Sequence, residues 1–545
     1  MDEMVSPVTV SPIRVLIVQP WFSNDPTKTR LQSAECLALG YLTSVLRRAG
    51  IEVDTLDAHL LGLTNRECVE VAERGDYSLV GISCSAQRAY PEAAGLARDI
   101  KRRMPHVHVV GGGQFLSHVH DQVAASEPAF DSLVRGEGEQ TLVALIRRLE
   151  RGEALDGLPG VTFRRDGAVV VNAPAPRLTD LDLLPFPDRS YLSHIVDEVR
   201  AGVRYVAMLA TRGCIYKCTF CSVDRPRVVR SPGNVVAEMR EIRERWGVWK
   251  FRFNDDLLVG ASPGMQAWAE ELADQIAIEM PGLEMWGMTR ADAVTPRLAD
   301  KLRRAGFRSI FVGIESASDG VLARLKKGTS AQMNDEAIRT LKAAGIRPEL
   351  GFIMLEPRMT WADLWANLQF LRRAGCFSRH NLTNRLNVYH GSPLYLELRD
   401  RGEAIAAEDL SERYLYDFQD PKVKTFSEMA RVLQRRGFEV KRNVAEAIAR
   451  IREVRADLYR EGGSETREGP AVKALVEHGE RLERREADGW LAVFEDLYGR
   501  IDRDEGAESV LEQSGRGVAL MLAGLALEVD GLQHHIEGVA RSVSV

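Results

Sequence analysis

The chain has 545 residues, too many for one compact core and enough for roughly three to four domains. Hydrophobic residues make up 45% and charged residues 28%, which excludes a mostly disordered, collagen-like or coiled-coil chain. The formal net charge of −6 gives no sign of a nucleic-acid-binding protein. The longest uncharged apolar run, 517–527, is shorter than the ~20 residues that cross a bilayer. Residues 1–12 lack the apolar core of a secretion signal, so we expect a cytoplasmic protein without nucleic-acid or membrane partners.

The first part of the chain, 1–154, alternates short apolar runs with helical patterns. We predict strands at 14–19, 51–56, 77–84, 106–110 and 132–134, with helices at 33–49 and 90–103 and another that runs to 151. Five strands alternating with helices predict a doubly wound parallel sheet. Ligands of such sheets bind beyond the carboxyl ends of the strands. Those ends carry Gln19–Trp21, Ser83–Ser85 and the triplet Gly111–Gly113.

Residues 155–200 have the composition of a linker, with a hairpin predicted at 160–172 around Asp166-Gly167 and a proline-rich stretch after it. From 201 to 404 strand-like runs alternate with helical patterns again. These runs lie at 205–209, 250–253, 284–288, 309–314, 349–355 and 386–389, with helices between them such as 234–246 and 334–344. Six such strands predict a partial (β/α)6 barrel. Residues 405–545 have helical spacing, and we expect an α-helical domain that closes the mouth of the barrel.

Three of the seven cysteines form one short cluster: Cys214, Cys218 and Cys221. They lie just after a predicted strand in a Cys-x3-Cys-x2-Cys loop, and thiolates on one short loop can bind three irons of a 4Fe–4S cluster. The fourth iron is then open to a substrate. Zinc is the alternative, but it normally takes four ligands in closely spaced pairs, and no second Cys/Cys or Cys/His pair of that spacing lies near in the sequence.

The cysteine loop, with Phe220 before its last cysteine, resembles the cluster loop of the radical S-adenosylmethionine (SAM) superfamily. The resemblance covers about residues 200–400, and His390 stands where the family commonly has proline. The segments that match, each after a successive strand, are Asn254–Asp256, Thr289–Asp292, Gly313–Ser316, Gly351–Met354 and Tyr389–Tyr395. The resemblance implies a cluster on the three cysteines and SAM contacts from Phe220, Asp255, Asp256, Arg290, Glu315 and Ser316.

A flavodoxin-like sheet ahead of such a barrel resembles the cobalamin-binding members of the superfamily, and Arg135–Glu139 matches their Arg-Gly-Glu-Gly-Glu segment. Glycines let the backbone approach a large flat macrocycle. The alternatives are that the sheet binds nothing, or binds another flat cofactor such as a flavin. The cobalamin contacts implied by the resemblance are Gln19, Pro20, Ser83, Ser85, Gly111, Gly112, Gly113, Gln114, Gly136 and Glu137.

Residues 57–62 read Asp-x-His-x-x-Gly, the pattern in which a histidine replaces cobalamin's own base as the cobalt ligand. In the proteins that use this motif it follows the first strand and opens the first helix. Here it follows the second predicted strand, after a complete helix. We therefore expect Asp57, His59 and Gly62 to match by coincidence and cobalamin to bind without a histidine ligand.

The resemblance implies an enzyme similar to the class B radical SAM methyltransferases. In these enzymes SAM is cleaved to a 5′-deoxyadenosyl radical that removes a hydrogen atom, and methylcobalamin delivers a methyl group to the resulting carbon radical or to a phosphinate phosphorus. The resemblance further implies a small-molecule or carrier-bound substrate, in antibiotic or other secondary-metabolite biosynthesis, and a flavodoxin- or ferredoxin-like electron donor. It identifies no catalytic residue besides the cofactor ligands.

Three other activities remain open. The same cofactors serve cyclases and rearrangement enzymes that transfer no methyl group, and some relatives methylate without a radical. From a different class, the chain could be a cobalamin-dependent sensor, although the complete cysteine loop argues for an enzyme. A methylthiotransferase is disfavoured because Cys36, Cys68 and Cys84 lie in two predicted helices and at a strand end, where they cannot form the loop of a second cluster.

Overall fold

The computed structural model describes residues 13–22, 35–223, 226–403, 410, 416–462 and 469–543. These residues form two compact units. The first contains 13–22, 35–194 and 410, and the second contains 195–223, 226–403, 416–462 and 469–543. The segment 1–12 and the first two residues of the helix predicted at 33–49 lie outside the described residues. In the part of the chain that the structure describes, no helix is long and apolar enough to cross a membrane.

The first unit contains one seven-stranded sheet with the strand order β2-β1-β3-β4-β5-β6-β7. Its strands are β1 (Val15–Gln19), β2 (Val53–Asp57), β3 (Leu79–Ser83), β4 (His108–Gly112), β5 (Ser132–Val134), β6 (Val161–Arg165) and β7 (Ala168–Val171). Its helices are α1 (Leu37–Arg48), α2 (Ala58–Leu61), α3 (Asn65–Gly75), α4 (Tyr90–Arg103), α5 (Gln114–His118), α6 (His120–Ser126) and α7 (Gly138–Glu150).

Strands β1 to β5 are parallel, which confirms the predicted doubly wound sheet. Strand β4 starts and ends two residues later than predicted, so the first two glycines of the triplet lie inside the strand. The hairpin around Asp166-Gly167 also forms, but β6 pairs antiparallel with β5. It therefore extends the sheet, in contrast to the linker expected for this segment.

The sheet is buried on both faces, as the apolar runs of its strands predict. Along β1, Leu16 and Val18 belong to one hydrophobic cluster, and Val15 and Ile17 belong to the other. Successive side chains of a strand point to opposite faces, so each strand contributes to both clusters. With both faces covered by helices and loops, the carboxyl ends of the strands remain as the place for a ligand.

The second unit contains the barrel strands and the C-terminal helices. Its strands are β8 (Val206–Met208), β9 (Thr211–Arg212), β10 (Val228–Val229), β11 (Lys250–Phe253), β12 (Glu284–Arg290), β13 (Phe307–Glu315) and β14 (Arg347–Phe352). Its helices are α8 (Val196–Arg200), α9 (Pro232–Trp246), α10 (Pro263–Glu279), α11 (Pro296–Arg304), α12 (Asp319–Arg324), α13 (Ala331–Ala343), α14 (Trp361–Ala374), α15 (Arg379–Thr383), α16 (Pro393–Asp400), α17 (Pro421–Arg436), α18 (Phe438–Gly462), α19 (Pro470–Asp502) and α20 (Ala507–Val543).

Five parallel strands, in the order β8-β11-β12-β13-β14, form the wall of the partial barrel, and β9 and β10 form a separate antiparallel pair. The sixth strand predicted at 386–389 is not part of this sheet, so that prediction is wrong. The chain there makes one isolated bridge, Leu355 with Arg385, and the Leu386 amide donates to the Leu355 carbonyl (2.8 Å). The carbonyl of Leu386 accepts a hydrogen bond from the hydroxyl of Tyr416 (3.1 Å).

The C-terminal region is helical, as predicted, but α19 lies along the outside of the barrel. Arg347, the first residue of β14, forms an ion pair with Glu480 of α19 (3.6 Å). Farther along the same helix, the ring of Tyr498 stacks on Trp361 at the start of α14, with 4.0 Å between ring centroids. α19 therefore runs beside β14 and α14. The expectation that the C-terminal helical domain closes the barrel mouth stays a prediction.

Candidate active site

The three cysteines lie on the loop that follows β9. Gly213, with φ of +82°, turns the chain into this loop in a left-handed conformation that favours glycine. Two backbone hydrogen bonds hold the loop in place: the Thr219 amide donates to the Leu325 carbonyl (3.0 Å), and the Leu394 amide donates to the Thr219 carbonyl (2.8 Å). Segments that follow β13 and β14 in the chain thus fix the position of the cysteines.

The three thiols lie on one loop, as the ligands of a 4Fe–4S cluster commonly do. All three cysteines are half-buried. Among the described residues, no three His, Cys, Asp or Glu side chains are close enough to share one metal ion. A zinc ion requires such convergence, whereas each thiolate of a 4Fe–4S cluster binds a different iron.

Asp255 and Asp256, which follow β11, hold the backbone that leads into the cysteine loop. Asp255 Oδ1 accepts hydrogen bonds from the amides of Ala210 (3.0 Å) and Thr211. Asp256 Oδ2 accepts one from the amide of Gly213 (2.8 Å). The other oxygen of Asp255, Oδ2, is buried and accepts no hydrogen bond from the described residues. That oxygen is therefore left for a cationic group.

Two cations lie close to the middle cysteine. Arg290 is the last residue of β12, and its Nη1 lies 3.9 Å from Cys218 Sγ. Lys327 donates through Nζ to the carboxylate of Glu315 (2.8 Å). Burial raises the pKa of the Cys218 thiol, and the positive charges of Lys327 and Arg290 partly oppose that increase. Both charges favour the thiolate, the form that binds iron.

Two of the predicted SAM contacts, Glu315 and Ser316, lie at the end of β13. Glu315 ends β13 with φ of +63°, a left-handed conformation that non-glycine residues rarely adopt and that is frequent at functional sites. Ser316 is fully buried, and its hydroxyl donates to Asn367 Oδ1 (2.9 Å) and accepts from the Ser318 amide (3.2 Å). The hydroxyl of Ser316 therefore holds the turn, and its predicted SAM contact stays a prediction. Phe220 is half-buried on the cysteine loop.

In the first unit, the predicted cobalamin residues other than Gly111 lie at the carboxyl ends of β1, β3, β4 and β5. A Cβ on Gly112 would have Val134 O at 3.7 Å as its nearest neighbour, so the backbone is open to a ligand there. Exposed residues at this edge are Ser85, Gln114 and Gly136; partly exposed are Gly112, Gly113 and Glu137; buried are Gln19, Pro20 and Ser83.

Gly111 lies against the hydrophobic core. A Cβ at this position would lie 2.7 Å from Leu133 Cδ2 and 2.9 Å from Leu116 Cδ1, inside the hydrophobic core. Core packing therefore requires a glycine at this position, and the predicted cobalamin contact of Gly111 stays a prediction.

The residues of the Asp-x-His-x-x-Gly segment have local roles. Asp57 caps α2 by accepting a hydrogen bond from the Leu60 amide (2.9 Å). The ring of His59 stacks against both Phe22 and Trp21, with centroid distances of 4.4 and 5.1 Å. Both observations agree with the expectation that His59 is not a cobalt ligand, which stays a prediction.

Comparisons with known proteins match both halves of this arrangement. The profile of the Radical SAM superfamily matches residues 208–371, and the profile of the B12 binding domain matches residues 28–146. The anaerobic magnesium-protoporphyrin IX monomethyl ester cyclase of Synechocystis sp. is 31% identical over 353 residues, which are 61% of this chain and 67% of that protein. The chain belongs to the cobalamin-binding radical SAM enzymes.

Two further similarities extend over most of this radical SAM enzyme. An uncharacterized methyltransferase of Pyrococcus horikoshii is 26% identical over 373 residues, which are 66% of this chain and 78% of that protein. The solved structure of OxsB, a cobalamin-dependent SAM radical enzyme with aqua-cobalamin and SAM bound, aligns with a TM-score of 0.73. The alignment covers 98% of this chain and 80% of OxsB at 18% identity, which shows a shared fold.

Membership of this family implies a 4Fe–4S cluster, SAM and cobalamin as cofactors. When bound, they supply radical and one-carbon chemistry that amino-acid side chains cannot. The residues present fit these groups. Cys214, Cys218 and Cys221 would hold the cluster, and the unpartnered oxygen of Asp255 would take the positively charged amino group of SAM. The backbone at Gly112 would lie against the corrin ring.

The buried carboxyl group of Asp255 leads to a pH-dependent prediction. Burial raises its pKa from 3.8 to about 7. The contribution of this group to stability is therefore fully present below pH 3.8 and lost as the pH rises through about 7. We expect Asp255→Asn, which keeps one acceptor oxygen without the charge, to raise the free energy of unfolding of the SAM-free protein more at about pH 8.5 than at about pH 5.5.

Chemical denaturation at the two pH values checks this expectation. Asp300→Asn, at an exposed carboxyl group on α11, is the control and should change stability equally at both. An Asp255→Asn effect that does not grow with pH would contradict it.

A second prediction concerns the backbone at the cobalamin edge. Gly113 has φ of +106° and ψ of 169°, and an added Cβ would lie 2.7 Å from the carbonyl carbon and oxygen of Cys84. We expect Gly113→Ala to lower the free energy of unfolding by about 1–3 kcal/mol and to weaken cobalamin binding. Gly50→Ala is the matched control: Gly50 is not a predicted cobalamin contact, its φ is +73° and no neighbouring atom lies within 4 Å of an added Cβ, so about 1 kcal/mol of backbone strain is expected. Denaturation and cobalamin titration of both variants test the difference, and equal effects would contradict it.

Sequence reasoning missed Lys327 and Tyr216. Lys327 is buried beside Glu315, and the ring of Tyr216 lies under the guanidinium of Arg290. Lys327 is one of two consecutive lysines, and nothing in the sequence distinguishes the buried one. Tyr216 lies inside the cysteine motif, so its position on the loop was visible but its contact across the barrel was not.

Proposed function

We propose that this enzyme transfers a methyl group from SAM, by way of cobalamin, to a carbon atom that is not a nucleophile or to a phosphinate phosphorus. The observation that carries the proposal is the presence of an open cobalamin edge and a three-cysteine loop in one chain. An ordinary SAM methyltransferase needs only a nucleophilic substrate, so two additional cofactors point to an atom that cannot attack SAM directly. The methyltransferase of Pyrococcus horikoshii, whose match covers 66% of this chain, supports the proposal.

The substrate proposed is a small molecule, free or bound to a carrier, in antibiotic or other secondary-metabolite biosynthesis. In this proposal SAM is held by Asp255, Asp256, Glu315 and Phe220, the contacts that the family resemblance implies. A cytoplasmic location and a flavodoxin- or ferredoxin-like electron donor belong to this proposal, because the cluster requires a low-potential reductant and a reducing compartment.

A second candidate is an oxidative cyclase or rearrangement enzyme with the same cofactors. It is favoured by the 31% identity to the magnesium-protoporphyrin cyclase, which is higher than the 26% identity to the Pyrococcus horikoshii methyltransferase. The match to the cyclase covers 61% of this chain. Such an enzyme forms 5′-deoxyadenosine from SAM and makes no S-adenosylhomocysteine.

The experiment that tests both candidates is anaerobic reconstitution with iron, sulfide and hydroxocobalamin, followed by addition of a reductant and SAM labelled in its methyl group. Mass spectrometry then quantifies 5′-deoxyadenosine, S-adenosylhomocysteine and label on cobalamin. Label on cobalamin together with S-adenosylhomocysteine and 5′-deoxyadenosine supports the radical methyltransferase. Label without 5′-deoxyadenosine indicates methylation without a radical. 5′-Deoxyadenosine with unlabelled cobalamin overturns methyl transfer in favour of the cyclase, and a protein inert toward SAM indicates a cobalamin sensor.

A further inference from the structure

The guanidinium of Arg290 is fixed by Asp292, two residues after the end of β12, and by the carbonyl of Lys327, after α12. Nε and Nη2 each donate to one carboxylate oxygen of Asp292, both at 3.0 Å, and Nη2 also donates to the carbonyl of Lys327 (2.5 Å). These bonds use three of the five N–H donors of the side chain and leave the two on Nη1. Nη1 lies 3.9 Å from Cys218 Sγ, within reach of a hydrogen bond to sulfur.

The cysteine loop itself covers the flat face of this guanidinium. The Cζ atom of Arg290 lies 3.5 Å from the centroid of the Tyr216 ring. Tyr216 is anchored in turn, because its hydroxyl accepts a hydrogen bond from the Ala261 amide (3.3 Å). The Arg290 side chain is 6% exposed, so water screens its charge weakly. The ring of Tyr216 and the thiol of Cys218, both on the cysteine loop, therefore contact the same immobilised guanidinium.

This geometry leaves little of Arg290 for SAM, the ligand expected from the sequence. With three N–H groups committed to Asp292 and Lys327 and one directed at Cys218, a single N–H of Nη1 remains. The carboxylate of SAM would need a two-pronged guanidinium edge for strong recognition. That edge, formed by Nε and Nη2, is already occupied by Asp292.

We propose that Arg290 is a positioning residue of the iron–sulfur cluster, hydrogen-bonded to the thiolate of Cys218, and that it raises the reduction potential of the cluster. Reduction adds one electron from the external donor and makes the cluster more negative. A fixed cation and an N–H donor at a ligand sulfur stabilise the reduced form more than the oxidised form. Lys327, buried on the same side, is paired with the carboxylate of Glu315 (2.8 Å), so the proposal rests on Arg290 alone. The proposal concerns the cluster alone and does not depend on methyl transfer.

The test is a redox titration of the reconstituted cluster without SAM, monitored by electron paramagnetic resonance, with SAM affinity measured separately by calorimetry. Arg290→Met removes the charge and the donors at similar side-chain length. We expect its midpoint potential to become more negative and the resonance of the reduced cluster to change, while the SAM dissociation constant changes by less than about threefold. Lys217→Met is the matched control, because it removes an exposed charge next to Cys218 in the sequence and should leave the potential near that of the wild type.

Arg290→Lys keeps the charge without the planar fork, so its potential should lie between those of the wild type and Arg290→Met. If Arg290→Met fails to retain iron, Arg290→Lys is the variant that tests the proposal. A midpoint potential of Arg290→Lys more negative than that of the wild type then supports it. Potentials equal to that of the wild type overturn the proposal. An unchanged potential with a loss of SAM affinity of about tenfold or more would show Arg290 to be a SAM contact instead. Failure of methyl transfer in the earlier experiment affects none of these readings.

Discussion

Replacing Cys214, Cys218 and Cys221 together with alanine is expected to abolish cluster formation and the production of 5′-deoxyadenosine while leaving cobalamin binding intact. The three thiols are the ligands of a shared loop, so the variant has no protein donor for the irons. The predicted cobalamin edge lies in the other compact unit, at the ends of β1, β3, β4 and β5. Iron and sulfide content, mass spectrometry of SAM products and cobalamin absorbance after gel filtration measure the three properties.

Cys376→Ala provides the matched control for this experiment. Cys376 is half-buried like the cluster cysteines, and it lies after α14, away from their loop. It should retain the cluster, SAM cleavage and cobalamin. Loss of cobalamin together with the cluster in the triple variant would mean that the two compact units do not bind their cofactors independently. Retained iron and SAM cleavage in that variant would contradict the assignment of the cluster ligands.

Local sequence patterns predicted the elements whose formation depends on which of their own residues are buried. The strands Lys250–Phe253 and Ser132–Val134 and the helix Tyr90–Arg103 were predicted with the bounds that the structure has. Lys250–Phe253 alternates polar and apolar residues, Ser132–Val134 is a short buried segment, and Tyr90–Arg103 is an amphipathic repeat. The cysteine spacing carried the cluster prediction in the same way, because all three ligands lie on one short loop.

Contacts between distant parts of the chain were the part that the sequence could not predict. The glycine triplet looked like one ligand-binding element, yet Gly111 faces Leu133 while Gly112 is open. Ser316 matched a family segment, but its hydroxyl is taken by Asn367, which is 51 residues away in sequence. The apolar run from Leu386 had the composition of a strand, but the hydroxyl of Tyr416 bonds its carbonyl. Each outcome depends on a partner that periodicity does not reveal.

The ion pair between Arg230 and Glu238 leads to the largest expected loss of stability. Both side chains are 2% exposed, and Arg230 Nη1 donates to Glu238 Oε2 at 2.5 Å. Nη1 also donates to the carbonyl of Leu209 (2.9 Å), and the Arg230 amide donates to the carbonyl of Ala210 (2.9 Å). Arg230 therefore ties the strand end before the cysteine loop to α9. Glu238→Leu leaves a buried guanidinium without its counter-charge, and we expect it to lower the free energy of unfolding by about 3–5 kcal/mol.

Chemical denaturation measures this loss, and iron retention after reconstitution shows whether the cysteine loop suffers with it. Glu279→Leu is the matched control, since its pair with Arg240 joins α9 to α10 at the surface, with side chains 41% and 46% exposed. Solvent screens that pair, so its loss should cost no more than about 1 kcal/mol. The double variant Arg230→Met with Glu238→Leu removes both charges and should recover part of the stability, because the penalty comes from burying the guanidinium without the carboxylate of Glu238. A double variant less stable than Glu238→Leu would show that the bonds of Arg230 to Leu209 and its neighbours, and not its charge balance, stabilise this side of the barrel.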